Sequence, residues 1–276
     1  MVYIAASSMF LHEMNLEDIF VLISRAGLDS VEFWLETPDF WLRGLSESYF
    51  STCFNAYQYL SPLSVHAPVL DLNPCSINPD VAEISIKWTR HAISFADSIG
   101  ASVCTIHPGR RTAHRRAGTA DYQRLSYLLE SIEPVSVSSS CKVAIENMEP
   151  KINALLHTPE QMVECLDLHP WLYCTIDICH ALSNGNPNDV KDFIDQCKGR
   201  IANIHLSRPG TYGLHQPVAG DPVIKNLLFY LNDTGYNGLI TSEINDLTAG
   251  ITLDASQKLN ILQKEVQFIR TIFSGE

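Results

Sequence analysis

The chain has 276 residues, 46% of them hydrophobic, which is enough for a sizeable core. Its formal net charge of −12 and pI near 5.2 argue against a broad basic footprint for nucleic acid or anionic membrane. There is no apolar run of about 18 residues and no charged-then-apolar leader at the N-terminus, so a soluble, cytoplasmic chain without a membrane span is expected.

In chain order, short apolar runs predict eight strands. They are Val2–Ala6, Ser30–Trp34, Leu63–His66, Ser102–His107, Lys142–Glu146, Leu172–Asp177, Ile201–His205 and Gly238–Glu243. Such runs fit parallel strands buried on both faces. Helices are predicted between them. Asn15, Asn78-Pro79, Thr158-Pro159, Asn186-Pro187 and Asp221-Pro222 each place a cap ahead of an acid or a proline in the first turn. Gly27, Gly100 and Gly199 end helices before strands. The polar stretch Val135 to Ser140 reads as a helix-to-strand loop, and Leu253 to Phe273 as a final helix. No linker divides residues 1–276, so one domain is expected. Strand–helix alternation selects a parallel sheet, and a count of eight favours closure: a single (β/α)8 TIM barrel of class α/β. The eight cysteines form no CxxC pair, which predicts reduced thiols.

Closure of the barrel brings every strand end to one mouth. Seven of these segments stop on Trp34, His66, His107, Glu146, Asp177, His205 and Glu243. Three carboxylates and one imidazole, Glu146, Asp177, Glu243 and His205, make a donor set for Mn²⁺ or Zn²⁺, with Co²⁺ or Mg²⁺ also compatible. Each acid alone reads as a polar strand cap. Four in register predict a cation, because desolvated carboxylates at one mouth repel one another without it. His66 and His107 end strands three and four and are candidates for a second ion. His180, three residues after Asp177, and His215, in the loop GLHQPVAGD, are candidate substrate contacts. Arg110, Arg111, Arg115 and Arg116 follow His107 directly. They read either as an anion-binding lid, with Arg110 and Arg111 nearest the mouth, or as a solvated loop. Trp34 reads as a wall for a sugar ring or as barrel packing.

The set VHAP, HPG, AIEN, DICH, NIHL, H-x-P and SEIN resembles the xylose isomerase-like TIM barrel superfamily over nearly the whole chain. That group includes sugar and sugar-phosphate isomerases and epimerases and endonuclease IV-type nucleases. Resemblance to the ketose 3-epimerase branch implies one divalent ion on Glu146, Asp177, His205 and Glu243. Glu146 and Glu243 would move protons on opposite substrate faces, through a metal-stabilised enediolate. The substrate would be a small sugar or sugar phosphate. Resemblance to the endonuclease IV branch implies a zinc-dependent apurinic-site phosphodiesterase, with nucleic acid as partner. Three zincs would use His66, His107, Glu146, Asp177, His180, His205, His215 and Glu243. That pattern also needs an Asp two residues before His215, where this chain has Gly213. The epimerase reading leads. A non-catalytic metabolite-binding barrel is a third reading, and a homo-oligomer remains open.

Overall fold

The predicted helix caps act as caps. In the computed structural model, which describes residues 2–211, 213–246 and 252–273, the Asn15 side chain accepts from the Asp18 N–H and opens α1 (Leu16–Ala26). Asn78 opens α4 (Pro79–Ser98), Thr158 opens α6 (Pro159–Leu168), Asn186 opens α8 (Pro187–Gln196) and Asp221 opens α9 (Pro222–Asp233). Each satisfies first-turn N–H groups that the helix cannot bond itself. The last four also place proline at the start, where its missing N–H costs nothing. Gly27 closes α1 at φ 79°, a left-handed cap that a side chain disfavours.

Eight parallel strands close into a barrel: β1 (Tyr3–Ser7), β2 (Ser30–Trp34), β3 (Ser64–His66), β4 (Val103–Ile106), β5 (Lys142–Glu146), β6 (Tyr173–Asp177), β7 (Ile201–Leu206) and β10 (Leu239–Ser242). β1 pairs with both β2 and β10, which seals the ring. The strands alternate between two environments. Outward side chains such as Val31, Phe33, Val65, Ile145, Ile176 and Ile204 join the main apolar core against the helices. A separate small group, Ala5, Val103, Ala144, Ala202 and Leu239, forms an apolar plug with Tyr173 against it.

Several segments differ from the sequence reading. Val135 to Ser138 belong to the last turn of α5 (Thr119–Ser138), where Ser136 and Ser138 hydroxyls donate to carbonyls at Ile132 and Val135. Serine mimics loop composition there while bonding back along the helix. The final helix, α10 (Ala255–Phe273), starts after Leu253, because the Asp254 carboxylate caps it by accepting from the Gln257 N–H. The expected loop around His215 is a short hairpin, β8 (Arg208–Gly210) with β9 (Gly213–Gln216). Short helices α2 (Pro38–Leu42), α3 (Glu47–Phe54) and α7 (Ile178–Leu182), for which the sequence carries no separate expectation, follow the ends of β2 and β6. All eight cysteines are free and buried. Among the described residues, no helix is long and apolar enough to cross a membrane.

Helix α10 reaches inward with two charged residues. Lys258 is fully buried, and its ammonium donates to the Phe10 carbonyl at 2.7 Å, Glu13 at 2.8 Å and Asp246 at 3.1 Å. It ties the first and last strand-to-helix connections together. Glu265, also fully buried, accepts from the Val218 and Ala219 N–H groups at 2.9 and 2.7 Å. Burial pushes its carboxyl up to about 7, against the pull of those two donors.

A carboxyl raised in the folded state stabilises fully below its unfolded pKa, and that contribution is lost as pH rises through about 7. Glu265→Gln keeps an acceptor and cannot ionise. Chemical denaturation is expected to show little difference from wild type at pH 5 and a gain of about 2–4 kcal/mol at pH 8. Parallel pH–stability curves for the two proteins would contradict this assignment.

Candidate metal centre

Glu146 ends β5, Asp177 ends β6, His205 lies on β7 and Glu243 follows β10. Parallel pairing places Asp177 beside His205 and Thr241 beside His205, so these ends share one rim. One donor atom from each of Glu146, Asp177, His205 and Glu243 lies within 4.8 Å of the other three, and all four residues are buried. Two further groups meet the same spacing: His66, Glu146 and His205, and Asp177, His180 and His215.

Glu146 is the hub. Its Oε2 faces His107 Nε2 at 3.0 Å and His66 Nε2 at 3.4 Å. Its Oε1 faces His180 Nδ1 at 3.3 Å and His205 Nδ1 at 3.6 Å. Glu243 Oε2 lies 3.1 Å from His205 Nδ1 and 3.6 Å from His215 Nδ1. Burial alone would raise the Glu146 carboxyl, but the fields of His107 and His205 outweigh it and hold the group well below the usual range. Glu243 is lowered in the same way, mainly by His205 against burial. Burial dominates at Asp177 and lifts it to about 6, despite His180 and His215. Among the imidazoles, burial wins at His107 and lowers it despite Glu146, while two others go the opposite way. Burial opposes their charge, yet the surrounding carboxylates raise His66 to about 9 and His180 to about 10.

The donor set fits a divalent cation. Asp177 Oδ2, His205 Nδ1 and Glu243 Oε2 are buried without a hydrogen bond. The last two sit 3.1 Å apart, but not in hydrogen-bonding alignment. Orphaned buried acceptors of this kind are costly and rare. Hydrogen bonds on the far sides of the rings aim the remaining nitrogens. His66 Nδ1 donates to the Ala67 carbonyl at 2.8 Å, which turns Nε2 towards Glu146 at 3.4 Å. The Glu32 carboxyl accepts from His205 Nε2 at 3.1 Å, leaving Nδ1 towards the carboxylates. Such outer partners fix the ring orientation of a metal-binding histidine. Asn147 locks the Asp177 backbone by accepting from its N–H at 2.7 Å and donating to its carbonyl at 3.1 Å.

The structure therefore brings together Glu146, Asp177, His205, Glu243, His66, His107, His180 and His215. His215 sits on β9 at φ 61°, and its backbone N–H donates to the Cys179 sulfur at 3.3 Å. Trp34 pairs with His66 across β2 and β3, so both side chains face the same side of the sheet. It is buried but belongs to neither apolar cluster. The arginines separate. Arg111 donates to Asp121 at 3.4 Å and to the Arg116 carbonyl at 3.0 Å, so it serves its own loop. Arg110 lines a cleft beside His107. Glu36 is committed to the Val69 and Leu70 N–H groups.

Sequence reasoning missed Glu32. It is fully buried inside the barrel and also accepts from Asn203 at 2.9 Å and Ser64 at 3.4 Å. The signal was present: in the run SVEFW, an acid two residues before Trp34 must share its inward face. A second cluster, His12, Glu13 and Asp246, also has ligand-like spacing. There, Lys258 already supplies the positive charge.

Comparison with known proteins agrees with this architecture. An uncharacterised protein of Methanocaldococcus jannaschii is 28% identical over 99% of this chain and 100% of its own length. A probable endonuclease 4 of Aquifex aeolicus is 26% identical over 64% of each chain. The crystal structure of a D-psicose 3-epimerase from Clostridium cellulolyticum H10 superimposes with a TM-score of 0.78 over 99% of each chain, at 13% identity, a likeness of fold. A family model described as the xylose isomerase-like TIM barrel matches residues 20–272, and the chain belongs to that family.

Proposed function

We propose that this protein is a divalent-metal-dependent isomerase or epimerase of a small sugar or sugar phosphate. The observation that carries this reading is the quartet: two glutamates from separate strand ends share one buried donor set with Asp177 and His205. Glu146, Asp177, His205 and Glu243 would hold the ion, with Mn²⁺ or Zn²⁺ the best match to three oxygens and one nitrogen. A divalent ion there would polarise a substrate carbonyl and acidify the adjoining C–H bond. Glu146 and Glu243 would be the two proton-transfer groups, since each is a carboxylate and they come from separate strand ends. One would remove the proton and the other return it on the opposite face. Asp177, at the end of β6 within the same donor set, would serve as a ligand only. His180 and His215 border the quartet and would contact substrate hydroxyls, and Trp34 would wall the ring.

A second reading, a zinc-dependent phosphodiesterase, is favoured by one feature. Glu146 offers one oxygen to His66 and His107 and the other to His180 and His205, as a carboxylate bridging two ions does. Likeness to a probable endonuclease 4 supports the same reading. Gly213 stands where that pattern uses an Asp ligand, which counts against a full three-zinc set.

Metal analysis of protein purified without chelator is expected to find one tightly held divalent ion per chain. Saturating ion should stabilise by about 3 kcal/mol at a hundredfold excess over Kd. Asp177→Asn should abolish that gain. Two or three zincs per chain, with cleavage of an abasic-site oligonucleotide, would move the assignment to the second reading. On a panel of ketoses and their phosphates in deuterated water, Glu146→Gln and Glu243→Gln should each slow substrate C–H exchange by about 10²–10⁴-fold. Exchange undetectable in the wild type across that panel would remove the isomerase assignment. Glu32→Gln leaves every quartet residue in place but loosens the His205 ring. It is expected to weaken metal binding by about 10–100-fold with the fold retained. Unchanged metal affinity would show that His205 needs no such support.

A further inference from the structure

The cleft beside His107 has none of the donor quartet among its lining residues. It has a volume of about 120 Å³ and is walled by Ala67, Val69, Leu72, Pro74 and Met148, with Arg110 among its lining residues. His107 joins the two spaces, lining the cleft while its Nε2 lies 3.0 Å from Glu146.

Arg110 is held in place by its backbone. The Asn73 Oδ1 accepts from the Arg110 N–H at 3.0 Å, and Asn73 Nδ2 donates to the Arg110 carbonyl at 2.9 Å. Asn73 is itself buried. Arg110 also bridges to Ala154 across the cleft. The next residue is fixed similarly, with the Arg111 N–H donating to the Asn153 carbonyl and Asn153 Nδ2 donating to the Arg111 carbonyl, both at 2.9 Å. The preceding Gly109 has φ 77°, and a side-chain carbon there would meet Asn73 Oδ1 at 2.8 Å. Three loops, after β3, β4 and β5, are thus fastened around one arginine. Among the described residues, the Arg110 guanidinium itself makes no hydrogen bond or ion pair. The other charges in the cleft, Lys151 and Glu149, neutralise each other. Arg111 is engaged with Asp121. The cleft is therefore lined by one uncommitted arginine, solvent-exposed and on a rigid backbone, next to a mostly apolar wall.

We infer that Arg110 is the specificity residue for an anionic substituent, a phosphate or a carboxylate, carried by the substrate at the end remote from the reacting carbon. This rests on the small-molecule reading above. The substrate would place its carbonyl end at the quartet and its charged end in the cleft, passing His107. A planar guanidinium with several N–H donors matches the oxygens of either group. Arg111, adjacent in sequence, has no such role.

Inorganic phosphate and malonate serve as the two probes, titrated against the metal-loaded protein by NMR or calorimetry. Arg110→Met is expected to weaken binding of the preferred probe by about tenfold or more, and Arg110→Lys by less. Arg111→Met is expected to leave binding unchanged, although it costs Asp121 a partner. Tighter phosphate binding identifies a phosphorylated substrate, and tighter malonate binding a sugar acid. Binding that survives Arg110→Met, binding lost in Arg111→Met, or no binding of either probe by the wild type overturns the inference. These titrations do not depend on turnover, so a failure of the isomerase reading in the exchange assay is distinguishable from a failure here.

Discussion

A carboxylate buried inside a barrel keeps its charge only where positive charge is brought to it, and Glu146 is such a carboxylate. It is 1% exposed, with four imidazole nitrogens within 3.6 Å. Asp177 and Glu243 add two more acids to the same space. Removing water from three acids is expensive; the imidazoles outweigh that cost at Glu146 and Glu243 but not at Asp177. The orphaned atoms on Asp177, His205 and Glu243 mark where compensation is incomplete. Much of the surrounding structure is organised around this electrostatic deficit.

The barrel interior follows from it. Interiors of this architecture are usually filled by branched aliphatic side chains. Here Glu32 reaches Asn203 and His205 on β7, a strand that is not its neighbour, so the contact crosses the interior. Thr241 donates to Asn203 at 3.0 Å, and Thr105 and Thr175 bond each other at 2.8 Å across β4 and β6. This network aims the histidines and sacrifices apolar packing inside the ring. Outside the ring the packing is apolar. On β2, Glu32 faces inward while Phe33 packs outward against Phe40 and Phe50, with ring centroids 5.1 and 4.9 Å apart. Those rings extend to Phe20 and Phe95. One strand thus supports the polar site on one face and a strong apolar layer on the other.

The loops above the site are held by polar side chains that seldom face the mouth. Lys258 joins the first and last connections, Glu265 holds the segment after the hairpin, and Asn73 and Asn153 fix the residues after His107. Each satisfies backbone groups that the strands leave unpaired.

The eight strands, the helix caps and the identity of the mouth residues were legible in the sequence. Period, cap chemistry and strand-end position are local properties, and each leaves a mark within a few residues. Glu146, Asp177, His205 and Glu243 could be read as a set because closure of a barrel makes strand ends neighbours by geometry alone. Other features required the tertiary structure. The role of Glu32 depends on β7, 173 positions away in the chain. Lys258 meets Phe10 across 248 positions. Arg110 and Arg111 are the same residue type side by side, and only the placement of Asp121 and Asn73 gives them different work. A side chain's chemistry is written in the sequence, but its partners, and therefore its charge and direction, are set by which distant groups the fold places within hydrogen-bonding reach.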